Sequence, residues 1–407
     1  MEGNQLVLDD NYDYEDFPEY ERFNNLKTEH PGLKTILSVG GWDFGSKPFS
    51  DMASTPANRA EFVSSAVGFL RQWDFDGLDL DWEFPAQGKG SRRGDKAAFS
   101  SLVRELKQAF IAEGEAAGRA PLILTATVAG GEAIRKAYDI PEISEHLDFM
   151  NVMTYDFHGS WDRVTGLASP LYAARTERGQ AARLNVAASI QQWLDGGAPA
   201  GKLNVGLGLY GRSFTLRNPR HHGLRAPSRG PGQPGQYTDE EGLLSYYEIC
   251  RMLSRGATRV FDREQKGTYA YLGNQWVGYD DEESLTHKVN WLKEKSLGGW
   301  MVFSVDEDDA SGQFCGGQRF PLLNALNSAL GLPTVAATAA PPDTENGDFC
   351  SGRQNGYYAD PGDCGKYYNC DRGVTYHEEC WEDTLWNDEL GDCDWEENVD
   401  CSEDWKR

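Results

Sequence analysis

Residues 75–85 read FDGLDLDWEFP, and this stretch leaves few folds open. Side chains alternate between the faces of a strand, so Gly77, Asp79, Asp81 and Glu83 share one face and Leu78, Leu80 and Trp82 the other. At a rise of about 3.3 Å per residue, successive same-face residues lie roughly 6.6 Å apart. Three carboxyl groups that close cannot all ionise freely, so at least one pKa rises. The wholly apolar opposite face is that of a parallel strand lying under a helix. Such an acid ladder also suits a metal site or a hydrogen-bonded polar pocket. Its place at the C-terminal end of the strand, where barrel enzymes assemble their sites, favours chemistry.

The surrounding pattern extends this reading. Helical spacing over residues 16–29 (Tyr20, Phe23, Leu26) precedes a strand at 33–42 and a helix at 57–72. After the acidic strand come a helix at 95–117, a strand at 122–130, a further helix and a strand at 147–159. A helix at 181–195, a strand at 202–214, a helix at 284–295, a strand at 298–309 and a helix at 319–330 complete the series. Strands alternating with helices predict a parallel sheet with right-handed crossovers. Polar or aromatic residues collect after the strands: Trp42, Glu83, Tyr155 with Asp156, Tyr210 with Arg212, and Asp306. That recurrence predicts an α/β fold of the TIM-type (β/α)8 barrel class. Only six of its eight strands are legible, which would leave two unpaired edges beside the cleft and reads as a chain truncated at its N-terminus.

Between residues 213 and 283 the rhythm breaks into a Gly-, Pro-, Tyr- and Trp-rich segment, too long for a barrel loop and read as a small α+β insertion. The expected organisation is a large domain over residues 1–330, a Pro-, Ala- and Thr-rich linker over 331–348 and a small domain over 349–403. Cys250 and Cys315 are the cysteines of the large domain and are expected to pair. The other six crowd between Cys350 and Cys401, a disulfide framework that implies an oxidising compartment. The N-terminus is acidic and lacks the apolar core of a signal peptide, a second indication of a missing start. The net charge of −25 argues against nucleic acid and anionic membrane as partners, and no apolar run is long enough to span a bilayer. A neutral ligand is the natural expectation. The twelve Trp are more than a core of this size usually needs and supply flat faces suited to sugars, although packing accounts for them as well.

Four motifs together, SVGGW (38–42), DGLDLDWEFP (76–85), MTYDFHGSW (153–161) and LYGRSF (209–214), resemble the family 18 glycoside hydrolases, and among these the secreted animal chitinases. The resemblance covers about residues 20–330 in order. The C-terminal cysteines, with GYYADPGDCGKYYNC (356–370) and CDWEENVDC (393–401), resemble a peritrophin-A type chitin-binding module. That resemblance implies the pairings Cys350–Cys370, Cys364–Cys401 and Cys380–Cys393, which spacing alone leaves open.

The resemblance assigns roles. Most glycosidases flank the scissile bond with two carboxyl groups, but this family is an exception in which the substrate supplies the nucleophile. Glu83 would protonate the leaving oxygen and later activate water, Asp81 would orient the sugar's acetamide, and Asp79 would share a proton with Asp81. Tyr155 would hydrogen-bond the acetamide carbonyl. Met153, Asp156, Tyr210 and Arg212 match cleft residues of the family, and Trp42 and Trp161 match sugar platforms. Met153 fits barrel core as well, and Arg212 fits a structural ion pair. Asp76, of opposite parity to the ladder, reads as structural. At the end of the last strand the family usually carries Trp, whereas this chain has Phe303, with less stacking area and no N–H. Asp43 stands where Asn is common. In the small domain the candidate platforms are Tyr358, Tyr367, Tyr368, Trp386 and Trp395, some of which must instead form its core.

These readings imply a secreted, monomeric chitinase acting on chitin and chito-oligosaccharides, with no cofactor and no metal. One alternative is a chitin-binding lectin without turnover, left inactive by an incomplete barrel. Another is a metal-dependent acidic-cluster enzyme, disfavoured because neither His ligands nor a phosphate-binding Gly loop accompanies the acids.

Overall fold

In a computed structural model of the protein, the described residues are 3–7, 19–131, 134–334, 349–353, 356–371, 374–380, 384–388, 390–395, 399 and 401. Residues 16–18 of the first expected helix and 335–348 of the expected linker lie outside them. The chain packs as two units. One runs to Asp308 and resumes at Leu322–Pro333; the other combines Asp309–Pro321 with the C-terminal module.

The first unit is built on alternating strands and helices. In chain order these are α1 (Glu19–Glu29), β1 (Ile36–Gly40), α2 (Ser46–Ala53), α3 (Pro56–Gln72), β2 (Gly77–Asp81), α4 (Asp95–Ala117), β3 (Ile123–Ala129), α5 (Ile134–Ala137), α6 (Ile140–His146), β4 (Phe149–Met153), α7 (Val186–Asp195) and β5 (Leu203–Gly208). The insertion follows with β6 (Tyr210–Leu216), β7 (Ser228–Pro231), β8 (Leu243–Ser245), α8 (Tyr246–Ser254), β9 (Thr258–Asp262), β10 (Gly267–Leu272) and β11 (Gln275–Tyr279). Then come α9 (Glu282–Glu294), β12 (Gly299–Phe303) and α10 (Pro321–Leu330).

Strands β1–β5 and β12 form one six-stranded parallel sheet in the order β1-β2-β3-β4-β5-β12, an arc of a (β/α) barrel whose outer strands are β1 and β12. The apolar face of β2 explains its position. Leu78, Leu80 and Trp82 are fully buried, and Trp82 stacks on Phe49 of α2 at 5.2 Å and meets Phe99 of α4 edge-on at 6.0 Å. The covering helices have clear stop and start signals. Thr55 caps α3, accepting from the Asn58 amide, with Pro56 in the first turn, and α4 ends at Gly118 with φ 64°.

Several expected elements differ, and the strands expected at 147–159 and 298–309 already end at Met153 and Phe303. The run at 202–214 is not one strand: it divides at Leu209, with β5 in the barrel sheet and β6 in a separate antiparallel sheet. Both halves are largely buried and Leu, Val, Tyr and Phe recur across the junction, so periodicity could not mark the break. The helix expected from residue 181 begins with a 3-10 turn at Ala181–Arg183, and α7 starts only after Asn185, whose side chain caps the Ala188 amide. The insertion is α+β, with sheet order β7-β6-β11-β10-β9, β8 added on β6, and a core of Leu167, Phe214, Leu216, Tyr269 and Trp276.

The C-terminal unit contains β13 (Gly356–Ala359), β14 (Lys366–Asp371) and β15 (Val374–Glu379) as an antiparallel sheet, and β16 (Thr384–Asn387) with β17 (Asp392–Trp395) as a hairpin. Disulfides Cys350–Cys370, Cys364–Cys401 and Cys380–Cys393 staple it, supplementing a core too small to hold such a domain alone. Cys250 and Cys315 are also disulfide-bonded. Among the described residues, no helix is long and apolar enough to cross a membrane.

Candidate active site

The register of the parallel sheet builds the site from its base. Ser38 of β1, Asp79 of β2 and Thr125 of β3 lie in one row. Three hydroxyls therefore converge on Asp79: Thr125 Oγ1 donates to Oδ1 at 2.5 Å, while Thr127 Oγ1 and Ser38 Oγ donate to Oδ2 at 2.9 and 3.1 Å. Burial raises the pKa of Asp79 all the same, with these donors opposing it.

Asp81 stands one step up the ladder, at the end of β2. Burial, then Glu83, then Asp79 push its pKa up to about 8. Its Oδ1 is shielded from solvent and has no hydrogen-bond partner among the described residues. Close backbone packing fixes this position. A Cβ on Gly40 would sit 2.0 Å from the Asp81 carbonyl oxygen, and the Gly41 amide donates to that same oxygen at 2.9 Å. Both glycines have positive φ, 124° and 94°, so the SVGGW motif is a turn that only glycine can make here. It delivers Trp42, 76% exposed, to the surface beyond β1.

Glu83 lies beyond the end of β2 rather than within it, so the strand carries two of the three acids and the following turn the third. Ser46 Oγ donates to the Glu83 carbonyl at 2.9 Å and anchors that turn. The Glu83 pKa rises to about 7, from burial first and then from Asp156. In the free protein both Asp81 and Glu83 are pushed toward their protonated forms. Asp81 holds its proton at least as tightly as Glu83, because it is the more deeply buried and has acids on both sides. Asp76 is structural: partial burial opposes its ionisation, but the Thr35 amide and the Lys34 and Lys27 ammonium groups keep its pKa below the ordinary value.

The loop after β4 supplies Tyr155 and Asp156. Burial raises the pKa of the Tyr155 hydroxyl, and the negative charges of Asp81, Asp156, Glu83 and Glu307 add to this. The ring lies 6.1 Å from Tyr210 and 6.2 Å from Phe303. Asp156, at φ 55°, takes two hydrogen bonds from Arg212, at 2.7 Å from Nε and 2.6 Å from Nη2. Burial works against the Arg212 charge, but the paired carboxylate outweighs it and raises the pKa. The guanidinium lies over Tyr210 at 5.1 Å and over Trp161 at 5.6 Å. Arg212 is thus an ion-pair partner that also lies against the ring of Trp161, which is 58% exposed. Met153, the last residue of β4, is half-buried. Phe303 ends β12 and is 55% exposed.

The structure adds two groups. Tyr138 is buried behind the acids; its pKa is raised by burial and then by Asp81 and Glu83, and its oxygen accepts from the Ala129 amide at 3.2 Å. Glu307 caps its own short turn through the Ser304 amide at 3.0 Å, and burial lifts its pKa to about 7. Tyr138 has no sequence signal, since a lone Tyr between two short helices is ordinary core. Glu307 was visible only as one acid among several in SVDEDD.

In the C-terminal module, burial separates the aromatic candidates. Tyr367 and Trp386 are 1% exposed and stack on each other at 4.6 Å. Tyr368 is sandwiched between Phe349 at 3.9 Å and His377 at 4.5 Å. All three are core, with no free face for a sugar. Tyr358 is half-buried beside Phe349, and Trp395, at the end of β17, is 57% exposed.

The parallel barrel sheet thus presents a buried acid ladder, with exposed aromatic faces at its C-terminal edge. The model of "Glycosyl hydrolases family 18" matches residues 2–308, and that of "Chitin binding Peritrophin-A domain" matches residues 350–401. The chain belongs to family 18 of the glycosyl hydrolases and carries a C-terminal peritrophin-A module. It is 43% identical to mouse (Mus musculus) chitotriosidase-1 over 92% of this chain and 83% of that protein. It is 42% identical to the oviduct-specific glycoprotein of Sus scrofa over 84% of this chain, spanning 63% of that relative's length. Among solved structures, human YKL-39, described as a pseudo-chitinase with retained chitooligosaccharide binding properties, superposes with a TM-score of 0.76 at 38% identity, covering 81% of this chain and 89% of that one.

Proposed function

We propose that this protein is an extracellular retaining chitinase that cleaves β-1,4-linked N-acetylglucosamine polymers within the chain and is held on chitin by its C-terminal module. The observation that carries the reading is the unpartnered, buried Asp81 Oδ1 beside Glu83. A buried carboxyl oxygen without a partner is costly, and the N–H of a 2-acetamido group is the donor that would satisfy it. With the acetamide so held and its carbonyl bonded by Tyr155, the carbonyl oxygen attacks C1 while Glu83 gives its proton to the departing glycosidic oxygen. The product is an oxazolinium ion. The Glu83 carboxylate then takes a proton from water, whose oxygen adds to C1 as the ring reopens with retained configuration. Asp79 and Asp81 share one proton through the cycle.

Trp42, Trp161 and Phe303 offer stacking faces along the cleft, with Tyr210, Arg212, Asp156 and Met153 lining it. Trp395 is the platform proposed for the module, which acts as a tether that makes the second contact with polymer effectively intramolecular. The disulfides support an oxidising, extracellular setting.

Glu83→Gln tests the mechanism. Hydrolysis of chito-oligosaccharides is expected to vanish while cosedimentation with chitin is retained, and wild-type product is expected as the β-anomer by NMR. Turnover of the variant near the wild-type level would remove Glu83 from the mechanism. A second reading, a chitin-binding protein without turnover, draws on the likeness to a pseudo-chitinase and on Phe303. It predicts that the wild-type protein binds chito-oligosaccharides and leaves them intact.

A further inference from the structure

From residue 213 to residue 238 the chain carries no Asp or Glu, although it has 64 of them in all, and the same stretch holds Arg217, Arg220, Arg225 and Arg229. The fold gathers these arginines. Residues 225–229 run between two other segments: Arg225 N–H donates to the Thr165 carbonyl and Ser228 N–H to that of Arg163, both at 2.9 Å, on one side. On the other, Arg217 N–H donates to the Pro227 carbonyl at 2.9 Å, next to the Leu216–Ser228 pair. Ala226 and Ser228 point inward while Arg225, Pro227 and Arg229 are exposed, and Leu216 is buried while Arg217 is exposed. Arg163 and Arg220 are exposed as well. With segments about 4.8 Å apart and about 3.3 Å per residue along them, Arg217, Arg225 and Arg229 share one face in a patch roughly 5 by 13 Å, while Arg163, opposite the inward-pointing Ser228, lies at its edge on the other face.

These arginines differ from others in the molecule. Arg59, Arg71, Arg104, Arg119, Arg212 and Arg259 each face a carboxylate in an ion pair. Arg163, Arg217, Arg220, Arg225 and Arg229 form none with any described residue. Three exposed guanidinium groups, Arg217, Arg225 and Arg229, held close on one face without a paired carboxylate repel one another, and they are best relieved by an anionic ligand. The planar guanidinium fork matches the oxygens of sulfate or phosphate.

We propose that this face of the insertion binds a linear sulfated polysaccharide, separately from the glycosidase cleft. The patch runs in rows rather than enclosing a pocket, which suits a polymer with charges repeated along it.

The test is fluorescence anisotropy with a labelled heparin oligosaccharide, titrated over a range of NaCl concentrations against the full chain and the triple variant Arg217→Gln/Arg225→Gln/Arg229→Gln. Wild-type protein is expected to bind at physiological ionic strength, and the variant to bind at least tenfold more weakly. The slope of log K against log salt should flatten by about two to three, close to one counterion per lost charge. Circular dichroism, melting temperature and chitin cosedimentation should be unchanged, and Lys89→Gln/Arg93→Gln should bind heparin as wild type does. Desulfated heparin should fail to bind. The proposal is overturned if wild-type protein does not bind, if the triple variant binds equally well, or if single-stranded DNA of the same charge binds as tightly as the heparin oligosaccharide.

Discussion

Thr125→Val probes the acid ladder from its base without touching substrate. The hydroxyl of Thr125 donates the shortest of the three hydrogen bonds to Asp79. A hydrogen bond to a charged group contributes about 1.5–3 kcal/mol, or about 1–2 pKa units. Valine keeps the shape and removes the donor, so the ionised form of Asp79 is destabilised and its pKa, already raised by burial, rises further. The proton shared with Asp81 then resides on Asp79, and Asp81 is ionised at pH values where in wild type, with a pKa of about 8, it is neutral. Like-charge repulsion is reciprocal, so an anionic Asp81 raises the pKa of Glu83 above about 7. At a separation of roughly 6.6 Å and an effective dielectric of about 20, that repulsion is about 2.5 kcal/mol, an upper limit of about 1.8 pKa units. The alkaline limb of the kcat/KM profile reports the acid of the free enzyme. It should therefore move to higher pH by about one unit, measured with a fluorogenic chitobioside across the range. A melting curve at each pH separates this from loss of fold. A limb that stays in place, or moves to lower pH while the variant remains folded, would refute the proton-sharing argument.

Three other substitutions address the rest of the site. Phe303→Trp enlarges a half-exposed face beside Tyr155 and Tyr210; about 40 Å² of extra apolar contact is worth about 1 kcal/mol, so KM for soluble oligosaccharides should fall about fivefold, and no change in KM or kcat would make the position peripheral. Arg212→Lys loses the two-point bond to Asp156 and the flat contact under Trp161. KM should rise several-fold with little change in the pH profile, and a profile shift without a KM effect would contradict the positioning role. Trp395→Ala should weaken retention on insoluble chitin about tenfold, in line with about 0.5–1.5 kcal/mol for an aromatic contact, and leave turnover of soluble oligosaccharides unchanged; retention equal to wild type would move the platform elsewhere, with Tyr358 the next candidate.

What could be read in the chain and what could not differ in kind. Local periodicity carried the strand–helix order, because burying one face of a strand or helix is a requirement written into successive residues. It located α4 and the acidic strand, and the spacing of Asp79, Asp81 and Glu83 already implied that their charges conflict. It failed at residues 202–214, where two strands of different sheets are both buried and the hydrophobic run gives no sign of the break. It failed again in the C-terminal module, where Tyr367, Tyr368, Trp386 and Trp395 are alike in sequence and only tertiary packing separates core from surface.

The location of the proton was the least accessible of all. It depends on hydroxyls from β1 and β3 meeting Asp79 in register, on Gly40 letting a backbone approach Asp81 too closely for any side chain, and on a carboxyl oxygen left without a donor. The first two join residues about forty positions apart. A motif can therefore name the acids, but the order in which they give up protons is set by the neighbouring strands. For that reason Thr125, with no contact to substrate in the proposed mechanism, is a sharper test of it than a further substitution among the acids themselves.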